Sequence, residues 1–321
     1  MKGKQTVSDY FEVAPGVWGL KDILVNIYMI QDPEDYSWVL LDAGLKTSYA
    51  KIKNMAVELF GEQNHPEAII LTHGHFDHVG SLERLAEWWQ VPVYAHYLEM
   101  PYLTGKSSYP PPDSTVGGGL MTYLADFYPN EPINIKNRIK SLPKDSSVPG
   151  LPDWRYIHTP GHAPGHISLW NESDKILIAG DAFVTTKQES ALAVILQPKI
   201  ISGPPKYFTY DWAQAEESVL ALAALEPNIV ATGHGKPMSG IDMLKELEEL
   251  AEDFKKQAVP KHGRYVDNPA IADKSGVVYV PEKETDSYST IIAISGIAAV
   301  LVLGWVLFKQ NAANKRQMAV L

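Results

Sequence analysis

The sequence contains no cysteine. Disulfides, thiolate metal ligands and a cysteine nucleophile are therefore excluded. The absence fixes no compartment, because a chain without thiols suits either side of a membrane. Positive charge is scarce. Lysine and arginine number 28 against 38 aspartates and glutamates, for a net charge of −10. A polyanionic backbone finds little electrostatic footing on such a chain, so no nucleic-acid partner is expected. Long apolar runs are missing too, with one exception. The opening "MKGKQTVSDYFEVAPGVWGL" has none and does not read as a signal peptide.

The exception is "TIIAISGIAAVLVLGWVLF", residues 290–308, 19 residues without a charge. A bilayer core of ~30 Å is crossed by about 20 helical residues. The run is therefore expected to be a single transmembrane helix in contact with membrane lipid. Trp305 lies near one end, and Lys309, Lys315 and Arg316 follow in a short basic tail, 309–321. Both features suit an interfacial boundary. The positive-inside rule would put that tail in the cytoplasm. The span, however, leaves the ribosome last, after the large domain has been made. The expectation is a C-terminal single-pass anchor with the large domain cytoplasmic.

What the rest of the chain does have is a regular rhythm. The 321 residues are 45% hydrophobic, enough for a sizeable core. "SWVLLDAGL", "EAIILTHGH", "WRYIHTP", "HISLWN", "KILIAGDAF" and "NIVATGHG" read as strands. "SYAKIKNMAVELFG", "HVGSLERLAEWWQ", "YDWAQAEESVLALAAL" and "GIDMLKELEELAEDFKKQA" read as helices, the third with Asp211 as its N-cap. The alternation predicts a layered α/β domain. Between Tyr97 and Pro149 the rhythm breaks at "SSYPPPDSTVGGG". Insertions of this kind serve as lids or binding loops. From 267 to 289 the pattern fades into a polar linker.

Chemistry gathers where the strands end. "THGHFDH" packs His73, His75, Asp77 and His78 into six residues. "HTPGHAPGH" carries His162 and His166, "AGDAF" carries Asp181, and "ATGHG" carries His234. Imidazole nitrogen and carboxylate oxygen are the donors that zinc, manganese, iron and cobalt accept. Alternate side chains of a tight loop point to opposite sides, so "HGHFDH" can serve two ions. His158, on a strand, is expected to pack or hydrogen-bond. His65, His96 and His262 have no ligand spacing.

With the HxHxDH signature followed in order by "TPGH", "GD" and "GHG", the chain resembles the metallo-β-lactamase superfamily of hydrolases over about Val13 to Val266. The resemblance, close to its glyoxalase II-like and lactonase-like members, implies a four-layer αββα sandwich with a dinuclear metal site at one edge. With the polar stretch and the apolar run, the chain is expected to divide into a catalytic domain (1–266), a linker (267–289), the transmembrane helix (290–308) and the tail. The resemblance implies that His73, His75 and His162 hold one ion, that Asp77, His78 and His234 hold a second, and that Asp181 bridges them. It gives Asp42 the task of orienting a ligand histidine and His166 a supporting place behind the ligands. The cofactors would be two divalent ions, zinc first, with Mn2+, Fe2+ or Co2+ as alternatives.

The expected activity is metal-dependent hydrolysis of an ester, thioester or lactone of a small, acyl- or lactone-type substrate by a metal-bridged hydroxide. Asp77 and Asp181 are the catalytic carboxylates. β-Lactam or phosphodiester hydrolysis and a non-hydrolytic diiron redox role are the competing readings. Some lactonases of the superfamily have a tyrosine three residues after the bridging aspartate. This chain has Val184 there, and Tyr207 or Tyr109 would have to fill the role. Phe183, Tyr207 and Phe208 are expected to wall the site, with Lys187 or Lys206 available to an anionic group.

Overall fold

The computed structural model describes residues 10–283. A first sheet is laid down in chain order by β1 (Tyr10–Ala14), β2 (Val17–Asp22), β3 (Val25–Gln31), β4 (Trp38–Leu41), β5 (Ala68–Ile70), β6 (Val93–Ala95) and β7 (Ile139–Ser141). The pairs are antiparallel up to β4 and parallel from β4 to β7. The switch follows from the connections. Hairpins join the early strands, and helices cross between the later ones.

The second sheet contains β8 (Ser147–Val148), β9 (Leu151–His158), β10 (Ile167–Asn171), β11 (Ile176–Ile178), β12 (Ile229–Ala231) and β13 (Met238–Ser239), in the reverse spatial order β13 to β8. Its neighbours are antiparallel except β11 and β12. Helices α1 (Tyr49–Phe60), α2 (Phe76–Val79) and α3 (Leu82–Trp89) belong to the first half of the chain. Short helices α4 (Met100–Leu103) and α5 (Leu120–Tyr123) lie in the insertion between β6 and β7. The second half supplies α6 (Ala191–Leu196), α7 (Trp212–Ala223), α8 (Ile241–Glu252) and α9 (Phe254–Gln257).

Successive strand residues face opposite sides of a sheet, and here each side finds its own core. Trp38 and Leu40 of β4 pack with Ile52 of α1 and Leu85 of α3. Their neighbours Val39 and Leu41 pack with Leu169 of β10 and Ile178 of β11, between the two sheets. On the far side, Trp170 and Leu177 pack with Val219 of α7 and Leu247 of α8. Three apolar layers between four structural ones make the αββα sandwich. Strands buried on both faces explain why "WVLL" and "AII" read as continuous apolar runs.

One part departs from the sequence reading. The stretch read as a linker from 267 carries a hairpin, β14 (Ile271–Asp273) and β15 (Gly276–Tyr279). The Val277 N–H donates to Ser107 Oγ at 3.1 Å, and Val277 and Val280 pack against a cluster that includes Tyr102 and Tyr109. The compact unit therefore runs through Glu282. The apolar run 290–308 and the tail lie outside the described residues. Among the described residues, no helix is long and apolar enough to cross a membrane.

Candidate metal centre

The carboxyl ends of β4, β5, β11 and β12 open on one end of the sandwich. There β4 is followed by Asp42, β5 by the loop of His73 and His75 leading into α2, β11 by Asp181 and β12 by His234. The β9–β10 loop adds His162. All seven side chains expected to hold metal are buried, none more than 5% exposed. Three groups of potential ligand atoms each fall within 4.8 Å: His73, His75 and His162; Asp77, His78 and His234; and His73, His78 and Asp181.

Four of the histidines share one pattern, in which one ring nitrogen bonds to the protein and the other faces the cluster; His162 Nδ1 is buried without a partner. His78 Nδ1 donates to Asp42 Oδ2 at 2.8 Å. His234 Nδ1 donates to the Leu24 carbonyl at 2.6 Å. His73 Nδ1 lies 3.0 Å from Thr72 Oγ1, and His75 Nε2 lies 3.2 Å from the Tyr210 hydroxyl. Such outward bonds fix ring orientation and tautomer. The inward atoms converge. Asp181 Oδ2 is 3.0 Å from His234 Nε2, 3.4 Å from His162 Nε2 and 3.6 Å from His78 Nε2. His75 Nδ1 stands 2.9 Å from His162 Nε2, and Asp77 Oδ2 is 3.7 Å from His234 Nε2.

Buried polar atoms normally find partners, yet His73 Nε2, His78 Nε2 and Asp181 Oδ1 have no hydrogen bond from the protein. Orphaned nitrogen and oxygen donors aimed at one another are what divalent ions would satisfy, so the residues fit a metal centre. For His73, His75 and His162 the protonation states agree. Burial, then neighbouring histidine charge, holds His73 and His75 well below the usual histidine range. Burial pulls His162 down to about 3. These rings stay neutral, as metal ligands must be. Burial also opposes charge on His78, but Asp42, Asp181 and Asp77 overcome it and raise this histidine. Asp181 is driven the other way: burial resists its charge, and His234 and His78 hold it well below the carboxylate range. Burial raises Asp77.

The supporting residues lie behind this cluster. Asp42 accepts from the Thr72 N–H at 2.8 Å and the Thr72 hydroxyl at 2.7 Å while holding His78. His166 Nε2 accepts the Asp181 N–H at 2.8 Å, and its Nδ1 lies 2.8 Å from the Thr159 hydroxyl. His166 therefore braces the backbone that carries Asp181. Gly180 is needed between them, since a Cβ there would come within 2.6 Å of His166 Nε2. A Cβ at Gly233 would collide with Asp181 Oδ1. His158 stacks on His96 with ring centroids 4.1 Å apart and lies 2.9 Å from the Pro164 carbonyl.

Glu99 belongs here although nothing in its spacing announced it. It is fully buried. Its Oε2 accepts the Gly74 N–H at 2.9 Å and its Oε1 accepts the Gly165 N–H at 2.7 Å. The Tyr109 hydroxyl donates to the same carboxylate. One side chain thus ties the His73–His78 loop to the His162–His166 loop. Burial pushes its carboxyl up to about 7 against those hydrogen bonds. The sequence signal was faint: one acid between Leu98 and Met100 on an apolar turn.

Above the cluster the cavity is narrow, about 10 Å³, room for roughly one water. Leu24, Phe76, Met121, Tyr128, Pro205, Tyr207 and Phe208 wall it. Phe208 stacks on His75 at 4.6 Å. Phe183 is instead core beneath the second sheet, and Tyr109 is committed to Glu99. Neither Lys187 nor Lys206 lines the cavity. Met121 and Tyr128 come from the insertion, which therefore supplies wall.

Residues 20–234 match the family model described as "Metallo-beta-lactamase superfamily". The probable metallo-hydrolase YflN of Bacillus subtilis is 49% identical over 242 residues, covering 75% of this chain and 92% of that protein. The probable metallo-hydrolase YybB of the same organism is 27% identical over 214 residues, covering 67% and 82%. Among solved structures, the BLEG-1 B3 metallo-beta-lactamase superposes with a TM-score of 0.51 at 22% identity, over 77% of this chain and 99% of its own. That last likeness is one of fold.

Proposed function

Because the chain belongs to the metallo-beta-lactamase superfamily, we propose that it is a metal-dependent hydrolase cleaving an ester, thioester or lactone bond in a small substrate with an uncharged, apolar acyl part. The observation that carries this reading is a buried cluster of nitrogen and oxygen donors, with His73 Nε2, His78 Nε2 and Asp181 Oδ1 left without a hydrogen bond, beneath a mouth without a cation. β-Lactams and phosphodiesters bring a negative charge, and the cavity wall offers them no lysine or arginine.

In this reading His73, His75 and His162 would hold one ion and Asp77, His78 and His234 the other, with Asp181 available to both. Two divalent ions there, zinc by donor type, would lower the pKa of a shared water toward ~7 and polarise the attacked carbonyl. Asp42, His166 and Glu99 hold the loops still, so that little reorganisation is left for the reaction. Asp77 carries a proton to the leaving group. The tyrosine missing at Val184 is replaced by Tyr128. Burial, then the nearby Asp77 charge, pushes its hydroxyl up to about 12. It remains a proton donor at neutral pH, available to the substrate oxygen.

The metal-loaded full chain should turn over apolar acyl esters or lactones and lose that turnover to a chelator. Preferred cleavage of β-lactams or phosphodiesters in the same panel would overturn the substrate class. We also propose that residues 290–308 anchor the protein to membrane lipid with the catalytic domain on the cytoplasmic side. Recovery of the full chain in the soluble fraction of gently lysed cells would contradict the anchor.

A further inference from the structure

Helix α6 is unusual for its exposure. Leu192 is 65% exposed, Ile195 73% and Leu196 65%. Three large aliphatic side chains in six residues face away from the protein. Such clusters on a folded surface mark places that meet something apolar.

The cluster has company around the cavity mouth. Ile23, at the tip of the β2–β3 hairpin, is 63% exposed, and its neighbour Leu24 lines the cavity. The hairpin touches α6 directly: Lys21 Nζ donates to the Val194 carbonyl at 3.4 Å. Phe127 is 70% exposed beside Tyr128, another cavity residue. The segment leading into α6 also holds the insertion, since the Met121 N–H donates to the Glu189 carbonyl at 3.0 Å. The exposed apolar residues thus lie within a few positions of the residues that wall the opening.

The charge around α6 is opposite to that of the whole chain. Lys187 precedes it and Lys199 follows it, both exposed. Lys21 lies against it, and the Lys236 charge reaches Lys21. Against these lysines stands Glu189, the one acid between Val184 and Pro204, whose Oε1 accepts the Lys206 N–H at 2.9 Å. Aliphatic side chains flanked by lysines, in a protein of net charge −10, fit a lipid surface bearing anionic headgroups. Lysine stems can lie along the acyl boundary while the ammonium stays at the headgroups. The uncharged run 290–308 and the basic residues after it supply a second, independent reason to expect lipid close by.

We propose that α6 and the Ile23 hairpin tip form a membrane-docking face that sets the cavity mouth against an anionic bilayer. Apolar substrate would then enter from lipid. The docking face itself stands on the surface and does not depend on the hydrolase reading.

The absence of cysteine gives a clean test. An environment-sensitive fluorophore is attached to the full chain at Ile195→Cys, and in a separate protein at Tyr36→Cys. Tyr36 is 66% exposed at the opposite end of β3. Mixed phosphatidylcholine–phosphatidylglycerol vesicles are added, and near-ultraviolet circular dichroism checks each fold. The expected result is a blue shift at position 195 with vesicles and none at 36. Replacing Lys187 and Lys199 with glutamine should shrink the shift at 195, as should vesicles lacking phosphatidylglycerol. No shift at 195, or equal shifts at both positions, would overturn the proposal. So would a blue shift at 195 before vesicles are added, which would mean that a second copy or the chain's own C-terminal segment covers α6.

Discussion

Asp42 is held in the left-handed backbone region, with φ at 63°, where aspartate and asparagine are among the few side chains tolerated. From there it serves His78 and Thr72 together. Replacing it with alanine should cost about 1–3 kcal/mol by stranding the Thr72 N–H and weaken metal binding by roughly 10–100-fold. Asp42→Asn keeps the backbone preference and an acceptor for Thr72 but loses the charge. It should recover most of the stability and little of the affinity, as read by chemical denaturation and competition with a chelator. Equal affinity in Asp42→Asn and the native chain would show that the charge has no part in holding His78. Glu99 makes a parallel case. In Glu99→Gln the amide nitrogen cannot accept from a loop N–H, so one buried donor is stranded. A loss of about 1–3 kcal/mol and faster metal release should follow, and an unaltered release rate would remove Glu99 from the positioning of the loops. Asp42 was legible because the end of "VLLDAG" has a recognisable place in the chain. Glu99 was not, because the two loops it joins are reached through backbone groups 25 and 66 positions away.

Elements were legible where their pattern was long. α7 begins where expected: Asp211 caps it, its Oδ1 accepting from the Gln214 N–H at 3.0 Å. Asp211→Ala should destabilise by about 1 kcal/mol and leave catalysis untouched. A larger loss, with activity also falling, would mean that the cap is coupled to the neighbouring Tyr210 and through it to His75. The short edge strands were not legible. β7 and β8 contain three and two residues, too few to show a period. Helix α6 was hidden in a long loop, and the hairpin β14–β15 in what looked like a linker, because both lack the alternating pattern of a buried face. The insertion's role depends on Tyr128. Tyr128→Phe should lower kcat while keeping metal content and the fold unchanged. Unchanged kcat would leave the substrate oxygen to another donor.

At the scale of the whole molecule, two sheets bring four strand ends and one loop to a common edge, and the charges gathered there tie stability to pH. His162 and His166 are held down to about 3 from an ordinary value of 6.5. A depressed histidine gives stability that is present above 6.5 and is lost as pH falls through the folded value. His73 and His75 act in the same direction. His78 and His234, being raised, act in the opposite one. His96 and His158 are lowered too, while Asp77 and Glu99, whose carboxyls are raised, act with His78 and His234. With six lowered rings against four raised groups, the metal-free protein should unfold at progressively lower temperature as pH drops below 6.5. Metal should raise the midpoint most above that pH, where protons do not compete for the ligands. A thermal midpoint independent of pH and of metal would show that the cluster is not coupled to folding. A layered α/β domain could be anticipated because strands alternate with helices, and the αββα sandwich because the histidine and aspartate motifs resemble those of the superfamily. The narrow mouth could not, because it is assembled from four separate segments. The most direct measurement of the central claim is elemental analysis of the full-length protein after gel filtration, native beside His162→Ala. Two transition-metal ions per native chain are expected and fewer in the variant, each protein still folded. A native chain that holds no metal after exposure to zinc, manganese, iron and cobalt would contradict it.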